Sequence, residues 1–431
     1  MFAFLVLIIA LISFFIKKKA LSLFLLAALV SGGFWIIGLN TTLFGFVIQM
    51  SDLALVYVLV ILFVQLLRGK IKQLPRILKP INYFLIFLSI VIMIDLIING
   101  TPLGDVFKTT RHWLFLLFVY LLPSYKEKDI LQALKWIIVL TFMQTLLFLT
   151  EPVTGKVLFS YQGTLEALSL TNISRYSMLP PFIAFLFVWI FSRKISKQWL
   201  KFVGVVLILL AILISQIRSM LLATLIIFII SIFLSKKQKI YKKIIMLFSI
   251  ISVILLIMFY EPLNERFSSG VRDFNNVTVE NANHSSTGFR SMLFLERLNY
   301  ILEKPSTAIY GLGFIAEKNY KGHQFSIGHY TKDGEVEQLD TGDMTWVLFA
   351  VRLGIIGTFF YLLIYLKLLH YFYKYRIDFF ALVGLYYLIF ALFRSLAGTE
   401  MYYGSFILLP ALLFQLVRYT KIKDKVNNHV K

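Results

Sequence analysis

Apolar runs of nearly bilayer-crossing length recur from Phe2 to Leu416, separated by short polar stretches rich in Lys and Arg. A helix needs ~20 mostly apolar residues to cross the hydrocarbon core, where its own hydrogen bonds satisfy the backbone. The pattern predicts spans near residues 2–16, 20–38, 52–67, 80–98, 107–123, 130–150, 177–192, 200–216, 219–235, 244–260, 344–366, 379–394 and 404–417. The expected fold class is an all-α polytopic membrane protein with about 12–14 transmembrane helices and one large loop. Residues 1–260 form an N-terminal bundle of about ten helices, 261–343 the loop, 344–417 the C-terminal helices and 418–431 a basic tail.

Basic clusters fall at Lys17–Lys19, Arg68–Lys79, Lys126–Lys128, Arg193–Lys201, Lys236–Lys243, Lys367–Arg376 and Arg418–Lys431, which hold most of the 43 Lys and Arg. Lys and Arg accumulate on the cytoplasmic side of a membrane. This assignment pairs the spans, with the N-terminus outside, the C-terminus inside and the long loop outside. The net charge of +21 is therefore read as a topology signal, with no nucleic-acid partner.

Composition narrows the class without changing it. At 59% hydrophobic and 15% charged, with mean hydropathy +0.81, the chain lies far from soluble globular domains. The absence of cysteine excludes disulfides and thiol chemistry. "MFAFLVLIIALISFF" lacks a basic leader and a small-residue cleavage site, so a retained helix is expected.

The loop changes character along its length. "SSGVRDFNNVTVENANHSSTG" predicts irregular structure, whereas "FRSMLFLERLNYILEK" predicts an amphipathic helix near 288–304, with "SST" as N-cap and Pro305 as stop. Arg290 and Arg297 lie seven residues apart on a common side of it. "GLGF", Gly311 to Phe314, reads as a turn because it lacks the strand and helix of a phosphate-binding fingerprint.

Candidate chemistry begins with Arg218, which interrupts "LLAILISQIRSMLLATLIIFII". A charge at the bilayer centre costs ~2.5–3.5 kcal/mol, so a tight hairpin holding Arg218 at the outer boundary is the cheaper arrangement. Arg218 then either caps the hairpin beside lipid headgroups or binds a substrate. Arg111 in "VFKTTRHW", Arg175 in "TNISRYS", Arg290, Arg297 and Arg394 in "FRSLAGTE" share that face, although the positive-inside tendency should deplete it. Guanidinium forks match phosphate oxygens, so converging arginines suit a diphosphate at the membrane surface.

Asp340 and Asp343 in "LDTGDMTWVLFAVRLGIIG" precede a span, where they serve either as general base or as helix N-caps. His112, His323 and His329 have no metal-ligand spacing, and no metal or other cofactor is expected. Asp95, near the outer end of its span, is read as an arginine's partner or part of a transport path.

This arrangement resembles the O-antigen and capsule polymerase (Wzy) and O-antigen ligase superfamily of bacterial membrane glycosyltransferases. The likeness rests on the Arg218 hairpin, the long external loop whose amphipathic helix opens on an arginine, Pro305 and Gly311–Gly313, the later "VRLGIIG", and "LSLTNISRYSMLPP" leading into a mid-chain span. It implies a C-type glycosyltransferase-like bundle in the bacterial cytoplasmic membrane, with its site at the outer leaflet. It also implies an undecaprenyl-diphosphate-linked oligosaccharide substrate, membrane lipids as surroundings, and a chain-length regulator and flippase as pathway partners.

The implied reaction moves a growing glycan from its lipid diphosphate to the non-reducing end of an incoming repeat unit. Arg218, Arg290 and Arg297 would then stabilise the leaving diphosphate, with Arg111, Arg175, Arg394 and Asp340 binding substrate and Asp343 or Asp340 accepting a proton. Ligases of the superfamily carry a histidine just before the span after the loop; Asp343 stands in that region here. The departure favours polymerase, with ligase-type transfer of finished polymer or lipid-linked oligosaccharide transport as alternatives.

Overall fold

The structure, a computed structural model, describes residues 2–36, 40–43, 46–71, 73–154, 156, 165–167, 174–176, 179–193, 198–234, 251, 258–259, 264, 268, 286–316, 325–328, 339, 344–398 and 400–429. It is overwhelmingly helical, as a chain of this hydropathy requires. In the first half, α1 (Phe2–Phe15), α2 (Lys19–Val30), α3 (Met50–Leu67), α4 (Lys79–Ile97), α5 (Leu103–Leu114), α6 (Glu127–Thr154), α7 (Ile183–Ser192), α8 (Gln198–Ser215) and α9 (Arg218–Leu234) follow in order. Beyond them come α10 (Ser286–Glu303), α11 (Pro305–Tyr310), α12 (Thr345–Lys374), α13 (Phe379–Ser395) and α14 (Gly404–His429).

Six of the described helical segments are long and apolar enough to cross a bilayer: Met50–Leu67, Arg76–Ile97, Glu127–Thr154, Gln198–Ser215, Thr345–Lys374 and Gly404–Asp424. Shorter apolar helices include α1, α2, α7, α9 and α13. Large apolar side chains point outward, Phe63 at 61% exposure and Ile97 at 70%, as expected when the solvent is lipid. The chain is an all-α polytopic membrane protein.

Several spans differ from the periodicity reading, each for a local reason. α2 stops at Val30 because the Gly32–Gly33 pair turns the chain; Phe34 and Trp35 follow in left-handed conformations, and Gln144 Nε2 donates to the Phe34 carbonyl at 2.6 Å. The expected span 107–123 divides into α5 and a 3₁₀ segment, Phe115–Ser124, that ends beside Pro123. Ten residues of 3₁₀ helix reach roughly 20 Å where an α-helix reaches about 15 Å. α14 continues through the basic tail to His429. The expected span 244–260 lies mostly outside the described residues.

Two short antiparallel hairpins were not anticipated. β1 (Asn40–Leu43) pairs with β2 (Phe46–Gln49), which runs directly into α3, and β3 (Leu165–Ala167) pairs with β4 (Ser174–Tyr176).

Glycines dock the long loop onto the bundle. α12 is broken at Gly354 (φ 64°, ψ −170°), and the Gly311 backbone sits in the break: Leu312 N donates to the Val351 carbonyl at 2.7 Å. A Cβ on Gly311 would lie 2.5 Å from that carbonyl oxygen. The two segments named in the resemblance, "GLG" and "VRLGIIG", are therefore in direct backbone contact.

The next residues are held from the other side. Phe314 N donates to Asp95 Oδ2 at 2.6 Å, while Asn99 Nδ2 donates to Oδ1 at 2.7 Å. Thr109 Oγ1 donates to the Phe314 carbonyl, and Asp105 accepts from Ala316 N. Arg352, only 4% exposed, donates to the carbonyls of Gly313 and Ile315. Asp95, the intramembrane acid marked in the sequence, and the buried Arg352 thus both fasten the loop.

Candidate functional site

α8 and α9 form the tight hairpin expected around Arg218. Ser215 ends α8, Gln216 turns the chain in a left-handed conformation (φ 52°), and Arg218 is the first residue of α9, half-buried. A helix N-terminus carries unsatisfied N–H groups and a positive dipole end. An arginine there adds to the local positive potential, which suits an anion.

The connection between α13 and α14 gathers the surrounding elements. Arg394, in the last turn of α13, donates to Ser219 Oγ beside Arg218 and pairs with Glu400. Thr345 opens α12 with both its N–H and its hydroxyl on the Gly398 carbonyl, at 3.1 and 2.8 Å. Tyr402 donates to the Thr109 carbonyl at 2.7 Å, and the His112 ring packs edge-on against Tyr402 and Tyr403. One short connection therefore touches the starts of α9 and α12 and the arginine-bearing part of α5. Beneath it, Trp113 is fully buried against the rings of Phe314, Phe349 and Tyr402.

Other candidates take distinct positions. Arg111 pairs with Asp52 at 2.9 Å and donates to Gln49, tying α5 to the start of α3, and its Nε is buried without a hydrogen-bond partner. Arg175 lies on β4, which packs against α8. Arg290 is half-buried on α10, whose apolar face meets α12 through Leu293, Val347 and Val351. Asp340 and Asp343 lie outside the described residues, as do His323 and His329, although Thr345 fixes the helix that follows Asp343.

Arg297 is 1% exposed and organises the loop internally. Its Nε and Nη2 donate to the carbonyls of Leu339 and Ile327 at 2.9 and 2.8 Å, its plane lies 3.6 Å from the Phe325 ring centroid, and Nη1 pairs with Glu296. Glu296 in turn accepts from Ser326 N at 2.6 Å. Arg297→Ala should cost about 3–5 kcal/mol, the usual penalty for breaking a buried charged network. Limited proteolysis should then cleave within 325–328 at protease levels that leave that segment of the wild type intact; equal resistance would refute this role.

Sequence reasoning passed over three polar residues. Gln216 is buried with Oε1 unpartnered, Ser219 receives Arg394, and Glu400 has one oxygen on Arg394 while Oε2 is buried without a hydrogen-bond partner. The signal for Glu400 was its place six residues after an arginine in "FRSLAGTE". Among the described residues, no three His, Asp or Glu side chains come together as a metal site.

A helical bundle with long apolar spans and a loop docked onto it through its glycines defines a polytopic membrane protein. Residues 203–362 match the O-antigen ligase (Wzy_C) family model, which supports the O-antigen ligase/Wzy superfamily. The matched segment includes Arg218, Arg290, Arg297, Asp340, Asp343 and both glycine motifs. Enzymes of this family are membrane glycosyltransferase-like, and the match supports a function of the O-antigen ligase or polymerase type in general. No curated protein matches the chain.

Proposed function

We propose that the protein is a polysaccharide polymerase. It transfers a growing glycan from undecaprenyl diphosphate to the non-reducing end of a lipid-linked repeat unit, at the outer face of the bacterial cytoplasmic membrane. The observation that carries this reading is the meeting of Arg394, the Arg218 end of α9 and the start of α12 on one connection.

In the proposed step, the acceptor hydroxyl oxygen attacks the anomeric carbon as the bond from that carbon to the diphosphate oxygen breaks. Negative charge develops on the leaving diphosphate, where fixed cations in a water-poor site stabilise it most. Arg218 and Arg290 take this role, with Arg394 steering Ser219 and Glu400. The hydroxyl proton passes to a carboxylate, Asp343 or Asp340, near the start of α12. Glu400 Oε2 offers an acceptor for a sugar hydroxyl. Asp343, standing where ligases carry a histidine, supports polymerisation over ligation.

The test is gel and mass analysis of lipid-linked and surface glycans from a deletion strain. A polymerase leaves single repeat units that the wild-type gene converts back to ladders. Full-length but unattached polymer would establish a ligase instead, and unchanged glycans would overturn both assignments.

A further inference from the structure

At the opposite, basic end of the bundle, a recess of about 340 Å³ opens between the 3₁₀ turn before α4, the end of α12 and α14. Arg76, His370, Lys374 and Arg418 stand on its wall, with Tyr371 and Phe414 among its aromatic residues. Among the described residues, no acidic side chain lines it. Asp378, close in sequence, accepts from the N–H groups of Phe380 and Ala381 as the N-cap of α13. Glu127 and Asp424 pair with Lys423 and Lys421.

A narrow apolar cavity is lined by successive turns of the same elements, including Leu78, Ile81, Ile364, Leu368, Pro410 and Ala411. Along each element the order agrees: Arg76 precedes Leu78 and Ile81, Leu368 precedes His370 and Lys374, and Ala411 precedes Phe414 and Arg418. Cations therefore cluster at the recess, and a small apolar cavity lies deeper along the same three elements.

A preference for basic residues on one side of the membrane accounts for the charges. It does not account for a recess that gathers these cations beside aromatic side chains with no acidic residue in its described lining. From this juxtaposition we infer a binding site for an anionic phospholipid: the phosphate sits among Arg76, Lys374 and Arg418, and acyl carbons lie against Ile77, Tyr371 and Phe414 of the same recess. Basic pockets between transmembrane helices recognise anionic headgroups in this way, each Lys or Arg contributing about 1 kcal/mol near the surface. Arginine forks add bidentate contacts to phosphate oxygens.

The test uses the full-length protein in a neutral detergent, with thermal unfolding followed during titration. The ligands are dihexanoyl-phosphatidylglycerol, dihexanoyl-phosphatidylcholine, glycerol-3-phosphate and inorganic phosphate. Phosphatidylglycerol should raise the unfolding temperature saturably, and the other three should do so weakly or not at all. Arg76→Gln, Lys374→Gln and Arg418→Gln should each weaken its apparent affinity about fivefold. Arg193→Gln, in another basic cluster, should leave it unchanged. Arg76 and Lys374 are exposed, so their loss leaves the fold intact and the readout interpretable. Equal stabilisation by phosphatidylcholine, equal stabilisation by inorganic phosphate, or unchanged affinity in all three variants would each overturn the site.

Discussion

A strain whose only copy of the gene encodes Arg218→Ala is expected to produce polymer at about 1% of the wild-type yield or less, at matched protein level in the membrane. Removing one preorganised donor from a site that stabilises developing negative charge typically costs 10²–10³ in rate. Arg218 opens α9, where the helix dipole reinforces its positive field. Arg218→Lys keeps the charge but loses the planar fork, so an intermediate yield is expected. Wild-type yield from Arg218→Ala would reduce the residue to a hairpin cap and withdraw the proposed mechanism.

A large structural effect is also expected at Gly313. Its φ of +77° lies in the left-handed region, and a Cβ there would fall 2.3 Å from Asp95 Oδ1. An L-residue in that conformation costs roughly 1–2 kcal/mol. Displacing the buried Asp95 from Phe314 N and Asn99 adds about 1–3 kcal/mol for hydrogen bonds broken out of water. Gly313→Ala should therefore lose about 3 kcal/mol or more by thermal melting of the purified protein. Gly104→Ala, where the added methyl meets nothing within 4 Å, provides the neutral control. Matched melting curves for the two variants would refute the clamp.

Membrane character, most spans, the Arg218 hairpin and the amphipathic loop helix were legible because each follows from a local pattern. Apolar length marks a bilayer crossing, and a charge between two apolar runs forces a boundary. The kink at Gly354 was not legible, because "VRLGIIG" is apolar enough to read as continuous helix; only the Gly311 backbone in the break explains it. Asp95 illustrates the same limit. The sequence marked it as an unusual intramembrane acid, but its partner, the Phe314 amide, lies 219 residues away.

The candidate site divides similarly. The arginines read as lying outside stood out against the positive-inside tendency. The difference between Arg297, buried as an internal organiser, and Arg218, at a helix start, depends on tertiary burial that seven-residue spacing cannot encode. Glu400 and Gln216 went unremarked because a lone acid or amide near a span end is common, and its orphaned oxygen is visible only in three dimensions.

The interlock of Gly311 with Gly354, and of Phe314 with Asp95, sets the boundaries within which this protein can be recombined with its relatives. A chimera cut at residues 261 and 343 would transplant two of the interlocking glycines while leaving behind the helix break and the carboxylate that receive them. The exchangeable module is the loop together with the end of α4, the first half of α5 and α12 as far as Gly357, so specificity grafts drawn along those seams preserve the fit that a simple loop swap destroys.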